Sequence, residues 1–308
     1  MEERPDLTPT SSGVVVDVEA AGVNFVDGLF VAGKYQIKPP LPFTPGSEIA
    51  GRVAAIGDEV RGWTIGQRVM ATTGLGGFAS QVMVPAASLV SLPDVLDAPR
   101  AATFTQSFCT CLYALRNRAQ VEPGTTVLVL GAGGGIGLAA IAVATALGCR
   151  VLAAASSPDK LDAALAAGAE ATVNTVTDDL KMAARAWAGG TGLDVVVDPI
   201  GGPAAELSLR ALGDGGRYLV IGFASGEIPR LPLNQVLLRS RTILGVDWGI
   251  WAMQHGMEQL ALLNDLVHMV EQGDINPVHP TTYDLGDVVH ALDDLLARRV
   301  VGKIALLP

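Results

Sequence analysis

The chain has 308 residues, 49% of them hydrophobic and 17% charged, so it is long enough for two lobes with large cores and too apolar for a disordered protein. Its formal net charge of −10 argues against nucleic acid or an anionic membrane as the main partner, because either would require a basic face. Three irregularly spaced cysteines predict reduced thiols and a cytoplasmic protein, and we find neither a signal-type apolar segment in residues 1–13 nor an apolar run of about 20 residues.

Short apolar segments separated by turns fill the N-terminal third of the chain. Gly57-Asp58 and Gly76-Gly77 are typical turn signals, and no long helical pattern precedes residue 98. Strands are predicted at residues 14–18, 48–56, 68–71, 78–84 and 88–92. This pattern indicates a compact β-rich domain, which we assign to residues 1–113.

A helical pattern over residues 100–118 ends before Pro123-Gly124, and strands and helices alternate beyond it. The predicted strands are residues 126–130, 150–155, 171–175, 193–198, 216–223 and 242–247. Six strands with intervening helices predict an α/β fold with a doubly wound parallel sheet (Rossmann) in residues 114–260. Because six strands complete that fold, we expect residues 261–308 to return to the β-rich domain.

The turn after the first of these six strands carries the main binding signal. Gly131, Gly134 and Gly137 are spaced three apart, whereas a strict G-x-G-x-x-G motif would need glycine in place of Ala132. Glycines let the backbone approach a pyrophosphate, whose charge then faces the N-terminus of the following helix; a merely flexible turn is the alternative. The predicted dinucleotide contacts in the turn are Gly131, Gly134, Gly135, Ile136 and Gly137.

The end of the second of these strands is where a ribose-reading residue is expected. A site for NAD usually has an acid there, but this chain has Ser156 and Ser157, followed by Lys160. Two hydroxyl groups and an ammonium group suit a 2′-phosphate, which favours NADPH. The alternative is that Ser157-Pro158-Asp159 only caps the next helix, and the two roles are compatible.

Motifs spread over nearly the whole chain carry a family resemblance. They are AAGVNFVD (20–27), PFTPGSEIAGRV (42–53), VLVLGAGGGIGLAA (127–140), DVVVDPIGG (194–202), GGRYLVIGFASG (215–226) and VVGKIALLP (300–308). The chain resembles the medium-chain dehydrogenase/reductase superfamily, in particular its zinc-free, zeta-crystallin-like quinone oxidoreductase branch. That resemblance implies a GroES-like substrate domain. Two departures are Leu29, where relatives often have Tyr, and a missing strand before residues 5–13, which predicts an open sheet edge.

The same resemblance implies that no zinc is bound. In zinc-dependent members a Cys stands at the position of Asn24 and a His at that of Ser47. All four histidines lie in the last quarter of the chain, and Cys109-x-Cys111 does not have the spacing of a structural zinc pair.

Without a metal, the simplest chemistry is hydride transfer from NADPH to an electron-poor acceptor, a quinone or an α,β-unsaturated carbonyl. By resemblance, Asn24 and Tyr35 lie on the cleft side of the first domain and are the candidate donors to the developing oxyanion. The alternatives are that Asn24 only holds a turn and that Tyr35 only packs.

Further cofactor contacts follow from the resemblance, all at carboxyl ends of strands. They are Thr175, Gly202, Gly222, Phe223, Ala224, Asp247 and Trp248. Loop geometry alone is the alternative for the glycines, and for Trp251 we favour packing. The strand at residues 242–247 is a candidate sheet edge, which predicts a homodimer.

Two other functions remain open at this point. One is an enoyl-thioester (acyl-CoA) reductase of the same fold. The other is a non-enzymatic NADPH-binding protein of the crystallin kind, which would hold the cofactor without oxidising it.

Overall fold

A computed structural model describes residue 2 and residues 5–308 and divides the chain into two compact units. The first contains the residues up to Gln106 together with His279–Pro308, and the second is Ser107–Val278. These bounds differ from the boundaries predicted after residues 113 and 260. The assignment of substrate and cofactor to the two domains stays a prediction.

The first unit is built on a seven-stranded sheet with the order β12-β13-β1-β2-β3-β5, and β4 also pairs with β1. Its strands are β1 (Gly13–Val23), β2 (Glu48–Ile56), β3 (Arg68–Thr72), β4 (Gln81–Pro85), β5 (Leu89–Ser91), β12 (Thr281–Asp284) and β13 (Ile304–Leu307). Strand β1 pairs with three neighbours, and its Val14, Val16 and Val18 enter the core. Strands from both ends of the chain therefore share one sheet.

Within its described residues, the α-helices of this unit are α1 (Phe25–Val31), α2 (Ala98–Ala102) and α11 (Val288–Leu296). Helix α1 was missing from the sequence prediction. It has only seven residues, and a capping box starts it: the carboxylate of Asp27 accepts the Asn24 backbone N–H at 2.7 Å.

The second unit is built on a six-stranded sheet with the order β11-β10-β9-β6-β7-β8 and parallel pairing throughout. Its strands are β6 (Thr126–Leu130), β7 (Arg150–Ala155), β8 (Ala171–Asn174), β9 (Leu193–Asp198), β10 (Leu212–Val220) and β11 (Thr242–Gly245). The near-continuous apolar sequences of β6 and β7 are typical of strands covered on both faces. The sheet confirms the predicted α/β architecture.

Helix α3 (Thr105–Leu112) precedes these strands and begins in the last two residues of the first unit's N-terminal segment. The helices that connect the strands or follow them are α4 (Gly135–Ala146), α5 (Pro158–Ala166), α6 (Leu180–Trp187), α7 (Pro203–Ala211), α8 (Leu233–Leu237), α9 (Trp248–Gln254) and α10 (Gly256–Gln272). A π-helical segment, Tyr113–Arg118, follows α3. Within the described residues, no helix combines the length and apolar character that crossing a membrane requires.

The single helix predicted over residues 100–118 is wrong. Helix α2 ends at Ala102, where the Thr103 hydroxyl donates to the carbonyl oxygens of Pro99 and Arg100, both at 3.1 Å. These bonds satisfy carbonyl groups that a continuing helix would use, and α3 then starts separately at Thr105.

Candidate active site

The glycine turn joins β6 to α4 through contacts that exclude side chains. Gly131 has a φ of +60°, and a Cβ there would lie 2.6 Å from the Ile200 side chain. A Cβ on Gly137 would lie 2.2 Å from the Gly131 carbonyl oxygen, so the first turn of α4 rests directly on the loop. Because Gly134, the residue before the helix, also lacks a side chain, the N-terminus of α4 is open to an anionic ligand.

The residues predicted to read the ribose lie beside this turn. A Cβ on Gly133 would lie 2.4 Å from the Lys160 Cβ, so the lysine stem packs against the turn. Ser157 is the N-cap residue of α5, but within the described chain its hydroxyl makes no capping hydrogen bond. The capping alternative therefore gains no support, and the preceding Ser156 is exposed. The binding role of these residues stays a prediction.

A buried hydrogen-bond network holds the loops after β9 and β10 together. Tyr218 is 1% exposed and donates its hydroxyl to Asp198 Oδ2 at 2.5 Å, while Asp198 Oδ1 accepts the N–H groups of Ile200 and Gly201, both at 2.8 Å. Burial, with the neighbouring Asp198 charge as a second cause, raises the pKa of Tyr218 well above its usual range. The tyrosine therefore stays a neutral donor.

The backbone of the same segment extends this network to the predicted cofactor contacts. The Asp198 carbonyl oxygen accepts the Gly222 N–H at 3.3 Å, the Pro199 carbonyl oxygen accepts the Ala224 N–H at 3.1 Å, and Phe223 lies between these two residues. Gly202 has a φ of +63° and precedes α7. The structure thus brings Gly202, Gly222, Phe223 and Ala224 into one linked pair of loops.

Three further predicted contacts lie at the ends of other strands. Thr175 is exposed after β8, and its N–H donates to the Ala155 carbonyl oxygen at 2.9 Å. Asp247 caps α9 by accepting the Ile250 N–H at 3.1 Å. Trp248 is buried and donates its indole N–H to Gln259 Oε1 at 2.6 Å, so this donor has a structural partner.

Trp251 packs as the sequence favoured. Its ring stacks on Tyr113 of the π-helical segment with centroids 4.6 Å apart. It also stacks on His255, with centroids 5.4 Å apart. These contacts make Trp251 part of an aromatic stack within the second unit.

In the first unit, Asn24 lies in a buried polar network that joins the start of α1, β2 and the residue before β13. Asn24 Nδ2 donates to Glu48 Oε1 at 2.9 Å and to Ser47 Oγ at 3.3 Å, and Asn24 Oδ1 accepts from Lys303 Nζ. Lys303 also contacts Glu48 Oε1 at 3.0 Å. Glu48 is 1% exposed, so this ion pair is buried.

Gln106 completes this network from the other side. Its backbone N–H donates to Glu48 Oε2 at 2.9 Å, and its side-chain oxygen accepts from Ser47 Oγ at 3.1 Å. Every side-chain oxygen of Glu48 therefore has a donor, which is the condition for holding a carboxylate in the interior.

Tyr35, the second candidate donor, lies outside this network. It is partly exposed in the loop after α1, and its ring meets Phe30 with centroids 4.7 Å apart and planes tilted by 59°. The ring is therefore packed on one side. Its role as a hydrogen-bond donor to the developing oxyanion stays a prediction.

Sequence reasoning missed Glu48, Lys303 and the Asp198–Tyr218 pair as site residues. Local signals existed for two of these residues. Glu48 is a carboxylate at the first position of the buried strand β2, and Asp198 is a carboxylate at the carboxyl end of the parallel strand β9. Lys303 gave no such signal, since it lies 255 residues from Glu48.

A GroES-like domain joined to a parallel nucleotide-binding sheet defines a medium-chain dehydrogenase/reductase. The family model described as alcohol dehydrogenase GroES-like domain matches residues 10–94, and the one described as zinc-binding dehydrogenase matches residues 135–263. The chain is also 36% identical over 294 residues to quinone oxidoreductase-like protein 2 of Rattus norvegicus, covering 95% of this chain and 84% of that protein. It belongs to the quinone oxidoreductase branch of the superfamily, which confirms the resemblance.

Solved structures agree with this assignment. The quinone oxidoreductase from Thermus thermophilus, determined alone and with NADPH, is 35% identical with a TM-score of 0.86, and the match covers 100% of this chain and 95% of that one. The CurK enoyl reductase is 26% identical with a TM-score of 0.89, and the match covers 99% and 94%. The neighbours therefore include reductases of two acceptor types.

The zinc named in one family model does not fit the residues of this chain. Asn24 and Ser47 stand where, by the resemblance, zinc-dependent members have a Cys and a His ligand. They offer an amide and a hydroxyl group, whereas zinc in proteins takes mainly thiolate, imidazole and carboxylate ligands. The Glu48 carboxylate beside them is paired with the Lys303 ammonium. A cation in this network would have to displace a lysine already bonded to Asn24.

Proposed function

We propose that the protein transfers a hydride from NADPH to a quinone or an α,β-unsaturated carbonyl, without a metal. The observation that carries this proposal is the glycine turn with Lys160 packed against it, in a chain of the quinone oxidoreductase family. The turn would hold the pyrophosphate at the N-terminus of α4. Strand ends carrying Gly202 and Gly222 would border the rest of the cofactor.

NADPH is proposed over NADH because of the residues after β7. Lys160 would pair with the 2′-phosphate, while Ser156 and Ser157 would donate hydroxyl groups to it. A charge-assisted contact of this kind contributes on the order of 1–3 kcal/mol. Relatives with NADPH in their structures, such as the Thermus thermophilus enzyme, support this choice.

The reaction consumes NADPH, a proton and the acceptor, and gives NADP⁺ and the two-electron-reduced product. Bound NADPH would supply the hydride, and the protein would stabilise the negative charge that develops on the acceptor oxygen. We assign this task to Tyr35 and to one N–H of the Asn24 side chain. Of the two hydrogen bonds that this amide donates, the one to Ser47 is the longer, at 3.3 Å, and therefore the easier to exchange for a bond to the acceptor. Solvent can protonate a phenolate product, so no essential acid is required.

An enoyl-thioester reductase is the second candidate function, favoured by the likeness to the CurK enoyl reductase. It uses the same hydride transfer to a conjugated carbonyl. A non-enzymatic NADPH-binding protein is the third, and it would retain NADPH in the presence of every acceptor. A screen of quinones, enals and acyl-CoA thioesters with NADPH separates the three, because each predicts a different set of acceptors that oxidise the cofactor.

We also propose a homodimer in a reducing compartment such as the cytoplasm. Strand β11 ends the six-stranded sheet, and Leu233, Leu237 and Leu238 nearby in sequence are 71–80% exposed. Cys109, Cys111 and Cys149 are in the reduced form and make no disulfide bond, as expected in a reducing compartment. Sedimentation of the wild-type protein tests the dimer, and a monomer at micromolar concentration would contradict it.

A further inference from the structure

Lys303, Glu48 and Asn24 form a closed ring of contacts. The Lys303 ammonium meets both Asn24 Oδ1 and Glu48 Oε1, and the same Glu48 oxygen accepts Asn24 Nδ2 at 2.9 Å. The side chain of Lys303 is 13% exposed and that of Glu48 is 1% exposed. Each pair of the three residues is therefore in direct contact, away from bulk water.

This ring determines which way the Asn24 amide faces. An ammonium group has only donors and a carboxylate has only acceptors, so the amide oxygen must face Lys303 and the amide nitrogen must face Glu48. The reversed amide would place its N–H groups against the ammonium and its oxygen against the carboxylate. With one N–H held by Glu48, the direction of the other is fixed as well, toward Ser47.

The local backbone is built to admit this ring. A Cβ on Gly22 would lie 2.1 Å from the Ala102 carbonyl oxygen and 2.9 Å from Glu48 Oε1, so glycine lets the backbone of α2 approach β1 closely and leaves the Glu48 carboxylate unobstructed. A buried ion pair is a poor source of stability, because desolvation offsets most of its attraction. An orienting role accounts for the pair better than stability does.

We propose that Lys303 and Glu48 are positioning residues that orient the Asn24 amide for the proposed reduction, which makes this inference rest on the proposed function. Their charges keep the second Asn24 N–H directed toward Ser47, from where it would turn to the acceptor oxygen as that oxygen gains charge. An enone depends on this N–H more than a quinone does, because its enolate product is the stronger base and gains more from a hydrogen bond.

The test removes both charges together, since deleting one would leave the other buried and unpaired. In Glu48→Gln with Lys303→Met, the glutamine oxygen can still accept the Gln106 N–H, but its NH2 group then faces Asn24 and the ammonium is gone, so the native direction of the Asn24 amide is no longer enforced. The matched control is Arg150→Met with Glu170→Gln, which removes an ion pair whose side chains are 47% and 46% exposed at the amino end of β7. Lys303→Arg retains the charge.

Two measurements are made on each variant. The first is proton exchange of the Asn24 side-chain amide by NMR with selectively labelled asparagine, which requires no turnover. We expect exchange to become at least tenfold faster in the double variant and to stay unchanged in the control. The second is kcat with one enone and one quinone, where we expect about a tenfold loss with the enone and about a threefold loss with the quinone, at unchanged NADPH affinity. Lys303→Arg should retain most of the enone activity.

Wild-type amide exchange in the double variant overturns the inference whatever the enzyme's activity. Equal kcat values for wild type and double variant overturn it as well. If the double variant does not fold, Lys303→Arg tests the inference instead. Because this variant keeps the positive charge, loss of enone turnover at an unchanged melting temperature would contradict a role of that charge in orienting the Asn24 amide. A wild type that oxidises NADPH with neither acceptor defeats the proposed function, while the exchange measurement still decides whether the pair holds Asn24.

Discussion

Asp27 makes the stability of this protein depend on pH in a direction opposite to that of most carboxylates. The side chain is fully buried, and its Oδ2 accepts the Asn24 backbone N–H at 2.7 Å. Burial raises the pKa of Asp27 from 3.8 to about 7, against the lowering effects of that hydrogen bond and of the Lys303 charge; the Glu48 charge raises it further. The folded protein thus retains a proton that the unfolded chain releases.

The sign and size of the effect follow from proton linkage. Between the two pKa values the unfolded chain binds fewer protons at this site, so the free energy of unfolding falls as pH rises. The slope is at most about 1.4 kcal/mol per pH unit, and the total is on the order of 4 kcal/mol between pH 4 and pH 7. The stability contributed by the neutral Asp27 is fully present below pH 4 and is lost as pH rises through about 7.

The perturbation is Asp27→Asn, which keeps an oxygen for the Asn24 N–H and removes the titration. Urea unfolding of wild type and variant at pH 5 and at pH 8 gives the difference between them at each pH. We expect this difference to shift in favour of the variant by about 2–4 kcal/mol from pH 5 to pH 8. Asp58→Asn, at an exposed position of the same unit, should show no such shift. If the free energies of unfolding of wild type and Asp27→Asn changed equally between pH 5 and pH 8, Asp27 would not have a raised pKa in the folded protein.

Three further predictions concern the proposed site. Lys160→Ala should raise the KM for NADPH and leave that for NADH nearly unchanged, because only NADPH has the 2′-phosphate; steady-state kinetics with both cofactors check this, and equal losses would indicate a structural role. Tyr218→Phe should raise the Kd for NADPH, measured by cofactor fluorescence, about five- to tenfold, because Asp198 loses a hydrogen-bond donor that fixes the loop after β9. An unchanged Kd would show that this hydrogen bond does not support the cofactor-binding loops. Tyr35→Phe should lower kcat with quinones about 10- to 100-fold, roughly 1.4–2.7 kcal/mol, and more with enones; full activity on both would make Tyr35 a packing residue.

The second unit was predictable from sequence because its signals are local. Strands β6 and β9 have the apolar centres 127–130 and 195–197, each followed by turn residues, and this pattern is typical of a parallel sheet covered on both faces. The glycine turn was predictable for the same reason. Its close contacts occur at positions where the sequence has glycine, so they can be recognised from the sequence alone. What the turn binds depends on chemistry that a pattern of glycines does not contain.

The first unit was less predictable because its site is assembled from distant residues. Helix α1 has only seven residues, too few for a helical period to be recognised, although Asn24 and Asp27 have the spacing of a capping box. The position of Lys303 beside Asn24 depends on β13 pairing with β1, a contact between the two ends of the chain. No local pattern specifies that pairing, so the orientation of the Asn24 amide required the structure.

In the proposed function, NADPH bound at the glycine turn reduces a conjugated acceptor without a metal. The most direct measurement is a single-turnover reaction of metal-depleted wild-type protein with NADPH and a simple quinone. NADPH oxidation is monitored as the decrease in absorbance of the reduced nicotinamide. We expect one equivalent of hydroquinone for each NADPH consumed, at a rate that zinc and chelators leave unchanged. NADPH that stays bound and unoxidised, or oxidation that requires added zinc, would contradict it.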